Sequence, residues 1–132
     1  MFGLSSKIEY TPRRVESAAD KAAFRNFGHA SARISKDAKA SITKSKGPSE
    51  PGEPPHTRAR GGKNLRGAIR YSTSKEGAII GPIASFVGAA GEAHEFGGSY
   101  RGTEFPERSF MEPALSQNVG RFADDWRGSI GE

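Results

Sequence analysis

From Val15 to Ser45 the small and apolar residues Ala19, Ala23, Phe27, Ala30, Ile34, Ala38 and Ile42 recur at steps of three or four. That spacing places them on one stripe of a helix and leaves Lys21, Arg25, Lys36 and Lys39 for solvent. Thr11-Pro12 suits the entrance and Gly47-Pro48 the exit. Such a helix is about 45 Å long at 1.5 Å per residue, and a stripe of alanines buries little per residue. Part of it is therefore expected to rest on another subunit or to order on assembly. Gly28, near its middle, is expected to mark a weak point or a close packing contact.

The pattern then breaks. Lys46 to Lys63 contains four prolines and four glycines, and reads as a long loop, mobile or ordering against a partner, with a basic far end at Arg58, Arg60, Lys63 and Arg66. Alternation at Leu65, Gly67, Ile69 and Tyr71 predicts a strand over Leu65–Ser72. Gly77–Ile83 follows as a second strand around a turn at 73–76. Phe86, Ala89, Ala90, Ala93 and Phe96 return to helical spacing, and Gly97-Gly98 ends that short helix. Ser99–Glu107 reads as a polar loop and Arg108–Met111 as a short extended segment. The last element starts at Pro113, carries Leu115, Val119, Phe122 and Trp126 at steps of four, three and four, and stops at Gly128. The order predicts one α+β domain: a long N-terminal helix, a small, mainly antiparallel sheet, a short middle helix and a C-terminal helix.

Composition thins the core. Leu, Ile, Val and Phe number 22 of 132 residues, under the rough 20 percent at which many chains fail to fold alone, so partner subunits are expected to complete it. With no cysteine, disulfides, thiolate zinc sites and a cysteine nucleophile are excluded, and a reducing cytoplasm suits the chain. Met1 to Tyr10 lacks the apolar run of a signal peptide, and Ile79–Ala90 is interrupted by Gly81, Pro82, Ser85 and Gly88, so neither secretion nor membrane spanning is expected. Residues 1–46 carry a net +6, residues 47–75 a net +4 and residues 76–132 a net −5. Such opposite halves can attract nucleic acid or dock one copy head to tail on the next.

Candidate chemistry adds little. Gly61-Gly62-Lys63-Asn64 lacks the earlier glycine and the Ser or Thr of a phosphate loop, since Thr57 and Asn64 stand there. Gly88 and Gly91 have the spacing of a nucleic-acid loop, but Ala89-Ala90 between them is not basic, and close helix packing is the plainer reading. His94-Glu95 opens a zinc-protease motif whose second histidine would fall on Gly98. Glu92, His94 and Glu95 then read as polar residues of a short helix or subunit contact, with no catalytic residue, metal or cofactor implied. Asp124 and Asp125 sit at a helix carboxyl end, where the macrodipole disfavours them, which hints at a basic partner, although a solvated helix end is the plainer reading.

The carboxyl-terminal half has the most specific order of residues: Gly81-Pro82, Phe86-Val87-Gly88, Ala93-His94-Glu95-Phe96-Gly97-Gly98, and Pro106-Glu107-Arg108-Ser109-Phe110-Met111-Glu112-Pro113-Ala114-Leu115. This resembles the tail-component family of long-tailed bacteriophages, which includes tail-completion, neck and head-tail joining proteins. The family pattern has Arg-Pro-Phe where this chain has Arg108-Ser109-Phe110. The resemblance covers residues 56 to 126 well and the rest by architecture. It implies a non-enzymatic virion protein, part of a head-tail connector, that forms a homo-oligomeric ring, six-fold by expectation. It also implies assembly in the bacterial host cytoplasm with neighbouring neck and tail proteins, and genome DNA passing through the channel without specific binding. The alternative is a small basic nucleic-acid-binding protein using Arg13, Arg14, Arg33, Lys36, Arg58 and Arg60. Structural or interface candidates are Glu95, Phe96, Gly97, Gly98, Arg108, Phe110, Pro113, Leu115 and Trp126. Phe96 and Phe110 are expected beneath the sheet, and Glu95 is expected to pair with Arg108 at the base of the loop.

Overall fold

The computed structural model describes residues 12–57 and 64–129. Its element order is α1 (Pro12–Ser41), α2 (Leu65–Ala68), β1 (Ile69–Thr73), β2 (Ala78–Pro82), α3 (Ala84–Val87), α4 (Ala90–Phe96), β3 (Gly98–Tyr100), β4 (Thr103–Phe105) and α5 (Met111–Asp125). The fold is mixed α+β, as expected, with a long N-terminal helix, short helices, a C-terminal helix and, among the described residues, a small antiparallel sheet pair of two hairpins. The reading of Met1 to Tyr10, the basic positions Arg58, Arg60 and Lys63, and the Gly61-Gly62-Lys63 segment lie outside the described residues.

Helix α1 is the floor of the molecule. Its inner face buries Ala23, Ala30, Ile34 and Ala38, and runs without a break through Gly28. The helix ends at Ser41, earlier than the periodicity suggests, because the next residues have better partners elsewhere. Ile42 is fully buried, and the extended backbone beyond it exchanges hydrogen bonds with Thr57, Thr57 N donating to Thr43 O (2.9 Å) and Ser45 N to Thr57 O (3.0 Å). The start of the long loop is therefore anchored. Pro55 and Ser49 are buried, and Gly52 N donates to Glu107 O at 2.9 Å.

The expected first strand begins later, at Ile69. Asn64 accepts a hydrogen bond from Gly67 N on its side chain (2.7 Å), capping a single helical turn that buries Leu65 and Ala68. Strand β1 then pairs with β2 in the register Ile69↔Pro82, Tyr71↔Ile80 and Thr73↔Ala78. Those six residues share the face turned toward α1, while Arg70, Ser72, Ile79 and Gly81 face outward.

The single short helix expected over Phe86–Phe96 is two. Gly88, at φ 57°, ends α3 and lets the chain restart as α4. The supposed polar loop 99–107 holds the hairpin β3–β4, turned by Arg101 and Gly102, both at positive φ. That is the backbone a two-residue hairpin turn requires. Arg108 to Phe110 is not a strand, and α5 begins two residues before Pro113.

The core joins α1, α2, β1 and α5 through Ile34, Ala38, Ile42, Leu65, Ile69 and Phe110. Farther along the α1–α5 seam, Phe27, Phe122 and Trp126 form an aromatic trio with centroids 5.3 to 6.1 Å apart. Asn118, buried in the same seam, donates to Asp37 (2.8 Å) and to Ala114 O (2.7 Å).

Candidate functional site

The segment from α4 to the start of α5 is organised by one carboxylate. A helix begins with four backbone N–H groups that have no acceptor within the helix. At α5 these belong to Phe110, Met111, Glu112 and position 113. Glu95, projecting from α4, accepts the first three: Oε2 from Phe110 N and Met111 N, and Oε1 from Glu112 N, each at 2.9 Å. The fourth position is Pro113, which has no N–H to satisfy. Glu95 thus replaces a local capping side chain, which Phe110 cannot provide, and sets a negative charge at the positive end of the helix dipole. Ser109 Oγ also donates to the Glu95 carbonyl oxygen (2.9 Å).

The surrounding residues hold this clamp in place. Gly97 has φ 65°, and a Cβ there would lie 2.8 Å from Glu107 N and 3.0 Å from Phe105 O. The chain must therefore leave α4 through a glycine at that point. Gly98, at φ 110°, completes the turn, and a Cβ there would lie 4.0 Å from Cε2 of the Tyr100 ring. Arg108 does not pair with Glu95, whose oxygens are already taken by backbone donors. Its guanidinium donates to Ser49 O from Nε (3.1 Å) and Nη2 (2.9 Å), and its backbone N donates to His94 O (2.6 Å). It ties the long loop to the clamp. Burial, and secondarily the Arg108 charge, lower the pKa of the half-buried His94. Gly91, rather than opening a ligand loop, brings α4 tightly against Pro82: a Cβ would stand 2.4 Å from the Pro82 Cγ.

The nine candidate residues therefore divide. Phe110 is fully buried in the core, Trp126 is half-buried in the aromatic trio, and Glu95, Gly97, Gly98, Arg108 and Pro113 form the clamp and its supports. Phe96 and Leu115 point outward. Phe96, expected beneath the sheet, is 74 % exposed because the inward side of α4 is occupied by Ala93 and Glu95. Leu115 is 50 % exposed, beside an equally open Val119. Nor does Asp125 await an external cation: Arg33 of α1 reaches it at 2.6 Å, and Asp124 lies 3.6 Å from Arg127.

Between β2 and α5, above α1, lies an open apolar trough. It consists of two adjoining hollows of about 490 and 160 Å³ that share Ile34, Ala78, Ile80 and Leu115. Phe96 and Val119 border it, and among the described residues the charged ones lining it are Glu92, Glu95 and Glu112. Periodicity alone missed its exposed character: Leu115 and Val119 fall on the same helical stripe as Phe122, although among the described residues no sheet reaches across to cover them. Ile79, 81 % exposed, was obscured in a similar way by its buried-facing neighbour Ile80.

Among the described residues no group of His, Asp or Glu is placed to hold a metal ion, and no helix is long and apolar enough to cross a membrane. No protein-family model, curated protein or solved structure matches this chain.

Proposed function

We propose that this chain is a structural subunit of the neck or tail of a long-tailed bacteriophage, a tail-completion or head-tail joining protein whose copies form part of the connector ring. The observation that carries this reading is the Glu95 clamp. It gives the Glu-Phe-Gly and Arg-x-Phe-x-x-Pro-Ala residues, on which the resemblance to the tail-component family rests, one shared mechanical task. They fix α4 to α5 and leave Phe96 and Leu115 on an open surface. A residue set devoted to holding a surface in shape, without converging nucleophile, acid and base, suits an assembly role better than catalysis. The thin core and uncovered trough are what a subunit completed by its neighbours would have.

The competing reading is a basic nucleic-acid binder, favoured by the outward Arg13, Arg14, Lys21, Arg25 and Lys36 of α1. Duplex-DNA binding measured against salt separates the two. A dedicated binder neutralises several phosphates and loses affinity steeply as salt rises. A connector must let DNA slide, so weak, nonspecific binding near physiological salt is expected. It should be accompanied by failure of heads and tails to join when Leu115 is replaced by Asp. Tight DNA binding at that salt, with normal joining by the Leu115→Asp variant, would favour the binder.

A further inference from the structure

Among the described residues nothing covers the trough, and its charge suggests what does. Among the described residues, every ionisable side chain that lines it is a carboxylate. Glu92 and Glu112 are exposed at its α4 end, with no ion pair to a described cation. None of the charged residues of α1 lines the trough, and that helix carries seven Lys or Arg against three Asp or Glu. Lys21 and Arg25 are exposed there, make no ion pair among the described residues, and flank Phe24, which is 57 % exposed. Helical spacing puts Lys21 one turn before Phe24 on neighbouring parts of the same face. An aromatic knob beside two cations is thus present on the same chain as an apolar trough beside two carboxylates.

We propose that the trough receives the outer face of α1 from a second copy of this chain. Phe24 of that copy enters among Ile80, Leu115 and Val119, and its Lys21 and Arg25 face Glu92 and Glu112. This rests on the ring-subunit reading and names the interface that reading requires. The two surfaces are distinct, so the contact is head to tail. Each copy offers both halves, and repetition closes into a ring when the rotation permits. Burying Phe24 and the trough together removes apolar surface that neither copy covers alone. The charges select partner and register more than they add affinity, and they weaken with salt.

Charge reversal on the full chain tests this, with light scattering after size-exclusion chromatography as the readout and circular dichroism to check folding. One variant combines Lys21→Glu with Arg25→Glu; the other combines Glu92→Lys with Glu112→Lys. Wild type is expected to self-associate at low salt. Each variant alone should associate about a hundredfold more weakly or not at all, because like charges then oppose. An equimolar mixture should regain association, since every contact again joins opposite charges. Phe24→Ser should weaken association with the cationic and acidic groups intact. Rings that form unchanged in both folded variants would overturn this interface while leaving the ring reading standing. So would a folded mixture that fails to recover. A wild type that neither associates nor joins heads to tails would remove the ring reading itself. Loss of joining by Leu115→Asp in a chain that stays monomeric in every setting would assign the trough to a different partner.

Discussion

Glu95 shows how much of the carboxyl-terminal half depends on one side chain. Replacing it with Ala strands the N–H groups of Phe110, Met111 and Glu112, and unsatisfied buried donors cost about 1–3 kcal/mol each before relaxation or water entry. Glu95→Ala should therefore lower the urea midpoint strongly, whereas Glu95→Gln, which keeps one acceptor oxygen, should lose less. Equal stability of wild type and Glu95→Ala would mean that α5 does not need the clamp. Phe110→Ala should cost about 3–5 kcal/mol as a large core truncation, and Trp126→Ala less, since its ring is only half-buried. His94 adds a pH dependence. Burial and Arg108 lower its pKa below the ordinary value of 6.5, so the unfolded chain takes up the proton first. Its contribution is complete above about pH 6.5 and diminishes as pH falls toward the lowered folded value. Urea unfolding of wild type and His94→Gln across that window should show a slope in wild type that the variant lacks.

At the scale of elements, the long helix, the β1–β2 hairpin and the carboxyl-terminal helix were legible because each has a sustained period in its own residues. What was not legible came from partners distant in sequence. Helix α1 ends at Ser41 because Thr43 and Ser45 bond to Thr57, and no local signal announces that. Leu65–Ala68 mimicked a strand because Gly67 occupies an alternating position while contributing nothing to it. The more telling spacing is Leu65 with Ala68 after the cap Asn64. The β3–β4 hairpin was hidden by polar side chains, although Arg101-Gly102 between Tyr100 and Thr103 was a usable turn signal. At the site, the Glu95, Phe110 and Pro113 spacing was visible, but its meaning was not: pairing Glu95 with Arg108 by charge overlooked the open helix start that needed the carboxylate more. The anchored loop has a consequence for exchange. Amide hydrogens of Ser45, Gly52 and Thr57 should exchange more slowly than that of Glu50, which makes no such backbone donation in the described structure. Uniformly fast exchange over residues 45–57 would show that the loop detaches in solution.

For the whole molecule, the charge halves, thin core and uncovered trough form one pattern. Helix α1 carries exposed cations at Lys21 and Arg25, while the trough that its inner face helps to line is edged by Glu92 and Glu112. The largest fully buried side chain, Phe110, sits where α1, β1 and α5 meet, beside the trough that it also lines. Electron microscopy of the purified full chain, alone and after incubation with phage tails lacking their head-proximal end protein, tests the central proposal most directly. The account predicts rings, six-fold by expectation, that cap the tail end and restore joining to heads. Monomers that neither form rings nor bind the tails would contradict it.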